Sequence, residues 1–252
     1  MRALITGASS GIGRAFAHVF AREGFDVFLV ARDADALADV ASRIRFEADV
    51  QVRYASMDLT KPGAASTLVD TVSSSVDVLV NCAGVGVFGR FSEYPWARDE
   101  NLLALNVSVL SELCKYYSQH MLERGFGRIL NVSSVAAFLP GPYMSTYYAS
   151  KAYVKSFSES LAEELAGSDV SVTCLCPGPT HSGFARHAGA ESSLLFSGSL
   201  ATPGEVAEQG YKAMLAGKRV VVVGWKNKFN VFLTKFLPRS VQARIVRRLS
   251  EE

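Results

Sequence analysis

Short apolar runs alternate with longer amphipathic stretches along most of the chain. Ala3–Thr6, Asp26–Ala31, Val50–Ser56, Val76–Asn81, Arg128–Ser133, Val170–Cys176 and Arg219–Val223 read as strands. Between them, stretches from about Ile12 to Arg22, Ala34 to Phe46, Pro62 toward Ser74, Trp96 to Arg124, Thr146 to Ala166 and Pro203 to Ala216 read as helices, with apolar positions at helical spacing. Pro62 is expected in the first turn of its helix, where the missing N–H costs nothing. Strands alternating with helices of this length predict a parallel sheet covered on both faces. No repeat, low-complexity segment or linker interrupts the pattern. It therefore predicts one α/β domain, a doubly wound parallel sheet of about seven strands.

Composition supports that picture. The chain has 252 residues, 49% hydrophobic and 20% charged, which is ample for one core. No apolar run approaches the ~18 residues of a membrane span. The strand pattern starts at Ala3, which leaves no room for a signal peptide and points to the cytoplasm. Cys82, Cys114, Cys174 and Cys176 are then expected as reduced thiols, the last two sharing one strand face. No Cys or His cluster has metal-ligand spacing, so no metal is expected. The net charge of +2 hides an asymmetry: nine Lys and Arg against two Glu from Lys218 to Glu252, a local +7.

Two stretches carry chemistry. Tyr147 and Lys151 stand four apart on a predicted helix, which puts phenol and ammonium on one face. A free tyrosine has a pKa of about 10, and a neighbouring cation favours its phenolate. Such a pair can give a proton to a carbonyl oxygen or take one from an alcohol. The pair alone is a weak signal, because this spacing recurs on ordinary amphipathic helices. The second stretch is Gly7, Gly11 and Gly13, after a strand and opening a helix. Glycine lets a backbone approach closely, and a helix N-terminus offers free N–H groups to pyrophosphate. Packing alone could also account for such a turn.

Together these segments resemble the short-chain dehydrogenase/reductase family from Met1 to about Gly224, with residues 225–252 a basic amphipathic helical extension of the same domain. Thr6-Gly7-Ala8-Ser9-Ser10-Gly11-Ile12-Gly13 is similar to the family's cofactor turn, and Asn81-Cys82-Ala83-Gly84 to its N-N-A-G segment. Asn106 falls in the long helix, Ser134 lies thirteen residues before Tyr147, and Pro177-Gly178-Pro179-Thr180 resembles the segment beside the nicotinamide. The resemblance implies a Rossmann-type fold and an oxidoreductase. Tyr147 would be the general acid/base. Lys151 would lower its pKa and hold the nicotinamide ribose. Ser134 would bind the substrate oxygen. Asn106 would stabilise a helix irregularity and a proton-relay water, or be merely a polar residue on a helix face. Gly7, Ser9, Ser10, Gly11, Ile12, Gly13, Asn81, Ala83, Gly84, Pro177, Gly178 and Thr180 would line the cofactor, and Asp58 and Leu59 its adenine. Cys82 replaces the family's second asparagine, which leaves its exposure and reactivity open. Tyr143 and Tyr148 lack Lys151 at i+4 and are expected to line the pocket or pack, and Ser133 breaks the thirteen-residue separation that Ser134 keeps.

Cofactor choice turns on the end of the second strand. The family's NAD-preferring members usually carry an acid where Ala31 stands. Here a neutral residue is followed by Arg32, which can grip a 2′-phosphate, so NADP(H) is favoured over NAD(H). Asp33 is expected to cap the next helix. Ser182–Leu200 resembles the variable lid, with Phe184, Leu194, Leu195 and Phe196; Phe88, Phe91, Phe138, Leu139, Tyr143 and Met144 would come from loops at the same sheet edge. These residues suit either an apolar pocket for a lipophilic ketone, aldehyde or alcohol, or the packing of a closed lid. His181 and His187 are expected at the surface or against substrate.

In the extension, Phe229, Phe232, Leu233, Phe236 and Leu237 would form one apolar stripe on a helix. The stripe would pack on the domain or a second subunit, the family often being a homodimer or homotetramer, or would lie on an anionic membrane. No nucleic-acid partner is expected. A silent dinucleotide-binding regulator would carry a broken Ser-Tyr-Lys set, and here the set is intact.

Overall fold

Alternate residues of each inner strand meet opposite layers of helices. On Arg2–Thr6 (β1), Ala3 and Ile5 join one buried cluster and Leu4 joins the other. The same alternation runs through Asp26–Ala31 (β2), Val78–Asn81 (β4) and Gly127–Val132 (β5). Val52–Ser56 (β3), Val170–Cys176 (β6) and Val220–Val222 (β7) complete a seven-stranded, wholly parallel sheet in the order β3-β2-β1-β4-β5-β6-β7. The computed structural model describes every residue except Ser74, Ser192, Ser199 and Glu252. The far end expected for the third helix, two serines of the lid and the last residue of the extension therefore lie outside the described residues.

One layer holds Gly11–Arg22 (α1), Ala34–Glu47 (α2) and Pro203–Leu215 (α8), which bury Phe16, Phe20, Leu37, Ile44 and Met214. Truncating a buried phenylalanine such as Phe16 would cost about 3–5 kcal/mol. The other layer holds Ala64–Val72 (α3), Val109–Arg124 (α5) and Ser145–Glu164 (α6), with Leu68, Leu113, Met121 and Val154 in its core. Asp33 caps α2, accepting from Ala36 N at 3.0 Å, as expected.

Three local readings are corrected. Pro62 lies in a turn before α3: Gly63 at φ 74° is left-handed and breaks any helical path from Pro62 into Ala64. The helix expected from Trp96 to Arg124 is Ala97–Leu103 (α4), a π-helical segment at Ala104–Ser108, then α5. The extension is not one helix. It is Trp225–Thr234 (α9) and Arg239–Ser250 (α10), separated at Pro238, which has no N–H to continue the ladder. The lid contains a short helix, Phe184–Ala188 (α7), and a single 3-10 turn at Leu194–Phe196. No described helix is long and apolar enough to cross a membrane.

Chain direction across the sheet reverses between β1 and β4. In open parallel sheets the crevice beyond the strand ends at that point is where ligands bind.

Candidate active site

A cavity of about 1240 Å³ opens along the carboxyl ends of β1, β4, β5 and β6. At one end is the glycine turn. Gly7 and Gly11 adopt φ of 70° and 53°, which favours glycine at both positions. A Cβ on Gly7 would stand 2.9 Å from the Ala83 backbone, and one on Gly13 would overlap the Gly7 carbonyl. Two loops and a helix therefore meet where only a bare backbone fits. Ser10, at the N-cap of α1, makes no side-chain cap bond, so the first N–H groups keep their capacity for an anion. This cradle fits a dinucleotide pyrophosphate. Thr6, immediately before the turn, clamps the two strand ends: its Oγ1 accepts from Cys82 N and Ala83 N, both at 3.1 Å. No spacing in the chain singles out that clamp.

Gly7, Ser9, Ser10, Gly11, Ile12, Gly13, Arg32, Asp58, Leu59, Ala83, Gly84, Pro177, Gly178 and Thr180 all line the cavity, beside Ser134, Tyr147 and Lys151. Asn81 does not. Its amide is buried beneath the floor, donating to Asn131 Oδ1 at 2.9 Å and to Cys114 Sγ at 3.3 Å, so it holds β4 to its neighbours. Arg32 is exposed and pairs with no described acid. Beyond it, the amide and hydroxyl of Thr60 hold the Asp58 carboxyl below the usual range.

Ser134, Tyr147 and Lys151 line the cavity together. Ser134 caps the 3-10 turn Val135–Phe138, accepting from Ala136 N at 3.1 Å, and its hydroxyl donates to Pro177 O at 3.4 Å on the same cavity wall as Tyr147. Lys151 is 6% exposed; its Nζ donates to Val132 O at 3.0 Å and lies 5.8 Å from the Tyr147 ring centre. Ser133 is turned inward and donates to Lys151 O at 2.8 Å, a bond that fixes α6 against β5. Burial raises the Tyr147 phenol above its ordinary pKa, and the Ser134 hydroxyl opposes this. Burial also lowers Lys151. The expected depression of Tyr147 by Lys151 is thus not produced by the protein's own groups: desolvation of the phenolate is the largest influence on the phenol.

Asn106 lies within the π-helical segment and is 1% exposed. Its Oδ1 accepts from Val85 N at 3.0 Å; its Nδ2 donates to Val85 O at 2.9 Å and to Ser150 Oγ at 3.1 Å. It ties the helix irregularity to the loop after β4 and to α6. Cys82 is half-buried on the wall, and burial pushes its thiol up to about 12, partly opposed by Lys151.

The outer wall is apolar. Phe184 on α7 packs on Tyr147 with ring centres 5.1 Å apart and on Phe196 at 6.2 Å. Leu139, Met144, Leu195 and Phe196 join it, with His187 at the rim. Phe88, Phe91, Phe138, Tyr143 and Leu194, expected there, are not on the wall. Phe88 stacks on Tyr143, Phe91 is exposed against Tyr94, and Phe138 lies under Lys155. His181 lines an adjoining depression that shares Ser10, Gly11 and Thr180 with the cavity. Tyr148 is buried and faces Gly141, where a Cβ would overlap its ring.

The C-terminal helices supply the rest. Asn227 occupies the space a Cβ on Gly178 would need, which seats α9 on the Pro-Gly turn. Leu233 and Leu237, then Gln242, Ile245, Val246 and Leu249, close the cavity. Gln242 Nε2 donates to Thr234 O and Leu237 O, both at 2.8 Å, and so locks α10 to the end of α9. The expected single stripe is therefore divided: two leucines line the cavity while Phe229, Phe232 and Phe236 face outward.

A family model described as short chain dehydrogenase matches residues 1–192. "Probable oxidoreductase EphD" of Mycobacterium tuberculosis is 36% identical over 178 residues, which are 69% of this chain but only 30% of that longer protein. A short-chain dehydrogenase of Sphingobium yanoikuyae, solved in complex with NADPH, superposes with a TM-score of 0.84 at 30% identity, covering 93% of both chains. A short chain dehydrogenase/reductase of Burkholderia phymatum, solved with NAD, superposes at 0.83 with 27% identity over 92% of each.

Proposed function

The chain belongs to the short-chain dehydrogenase/reductase family, and from that premise we propose that it is an NADP(H)-dependent oxidoreductase acting on a lipophilic ketone or aldehyde, or the matching alcohol. One observation carries the reading: Ser134, Tyr147 and Lys151 converge in a cavity whose outer wall is apolar. Bound there, the nicotinamide cofactor would supply or accept the hydride. The chain's own groups manage the oxygen and its proton. The Ser134 hydroxyl, on the same wall as Tyr147, would hold the substrate oxygen in place and stabilise charge as it develops. Tyr147 would give its proton to that oxygen in reduction and take it back in oxidation. Lys151 would hold the ribose hydroxyls. Phe184, against the Tyr147 ring, excludes water from the transfer.

Preference for the phosphorylated cofactor rests on Ala31 and Arg32. Ala31 puts no carboxylate near a 2′-phosphate, and the exposed guanidinium of Arg32 stands at the same end of the cavity. A panel of lipophilic ketones, aldehydes and alcohols, followed at the NADPH absorbance with NADH in parallel, tests this reading. Turnover of apolar carbonyls with NADPH is expected. Activity confined to small hydrophilic substrates would overturn the substrate class, and preference for NADH the cofactor.

A further inference from the structure

We propose that α9 docks on the surface of an anionic lipid bilayer, with the cavity opening beside the contact. Trp225, Phe229, Phe232 and Phe236 recur along one line of the helix and its last turn, and each is more than half exposed, at 73%, 56%, 52% and 69%. Phe232 and Phe236 pack only edge to face on each other, with ring centres 5.1 Å apart. An aromatic row of this length left in water is the mark of a surface with a partner.

Charge selects the partner. From Trp225 to Ser250 the chain has seven Lys and Arg and no acid, and all seven are exposed. At 3.6 residues per turn, Lys228 and Lys235 flank one edge of the aromatic row and Lys226 the other. A tryptophan and phenylalanines between flexible cations form the surface of an interfacial helix, the rings entering the acyl boundary while ammonium groups stay among anionic headgroups. A second copy of this chain would bring seven more positive charges against these.

Position gives the contact a use. Leu233 and Leu237, beside the aromatic row, are cavity walls and also partly exposed. One helix thus presents one side to the bilayer and the other to the site. An apolar substrate dissolved in lipid would reach the cavity without crossing water, a consequence that rests on the substrate class proposed above. The lipid contact itself does not rest on it.

The test uses the full chain without substrate or cofactor, so its failure is separate from that of the substrate panel. Vesicles of phosphatidylcholine alone, or with an equal part of phosphatidylglycerol, are sedimented with the protein. Capture by the anionic vesicles alone is expected, reversed at high salt. Phe229→Ser/Phe232→Ser/Phe236→Ser should keep the native melting temperature and lose capture. Lys226→Glu/Lys228→Glu/Lys235→Glu should lower partitioning by roughly a hundredfold or more. The proposal is overturned by no capture of the native chain at low salt, or by capture that survives loss of the phenylalanines. A native dimer that the serine variant dissociates without vesicles also overturns it, since the face then belongs to a second copy.

Discussion

The Tyr143 hydroxyl donates to the Glu251 carboxylate at 2.6 Å, linking the loop before α6 to the end of the C-terminal helix across 108 residues. Tyr143 makes this contact from a left-handed backbone, φ 66°, which a bulky residue rarely adopts. Ser250 Oγ to Pro142 O at 3.4 Å and Ser193 Oγ to Leu249 O at 3.1 Å reinforce the closure. Tyr143→Phe should loosen α10 over the cavity: KM for a bulky substrate rises several-fold while kcat stays near native. The bond to Tyr143, then that to Arg247, holds the Glu251 carboxyl below its ordinary range. A depressed carboxylate keeps its contact above its unfolded pKa and loses it as pH falls through the folded one. The protection of residues 239–250 from hydrogen exchange, taken relative to the intrinsic rate at each pH, should therefore fall on acidification in the native chain and be less pH-dependent in Tyr143→Phe.

Tyr147→Phe should abolish nearly all turnover while leaving NADPH binding measurable by fluorescence titration. Because burial keeps the phenol protonated through neutral pH, reduction should be nearly flat from about pH 6 to 8. Oxidation needs the phenolate and should climb toward about tenfold per pH unit into the alkaline range. Native-like turnover by the phenylalanine variant would end the assignment of Tyr147.

Arg32→Ala should weaken NADPH while sparing NADH. Arg32 is exposed, so water screens its pairing with a phosphate. The loss should be about 1.5–2 kcal/mol, roughly 10- to 30-fold in Kd. Equal losses for both cofactors would remove Arg32 from the selectivity.

Asn106→Ala should cost stability before it costs chemistry. It strands the part-buried amide and carbonyl of Val85 and breaks the buried tie to Ser150. Leaving such groups unsatisfied costs about 2–4 kcal/mol, read as a fall in denaturation midpoint. A variant with native stability would mean that the loop after β4 holds itself.

Much of this protein is written locally. Apolar runs and amphipathic stretches determine the seven strands and the two helical layers, because burying alternate residues on both sides of a parallel sheet leaves little choice of register. The glycine turn is equally legible, since Gly7 and Gly13 stand where no Cβ fits. What the chain does not reveal is which side chains turn inward where elements from distant segments meet. Asn81 shares its segment with Ala83 and Gly84, yet hydrogen bonds to Asn131 and Cys114 draw it under the floor. Lys151 has the spacing to act on Tyr147, but its own burial and the Val132 carbonyl place it beside the ring. Above all, α9 and α10 read locally as one amphipathic stripe. Only their seating on Gly178, Pro142 and the lid divides that stripe into a cavity wall and an outward aromatic face. Periodicity records that a face is apolar; only tertiary packing decides what covers it.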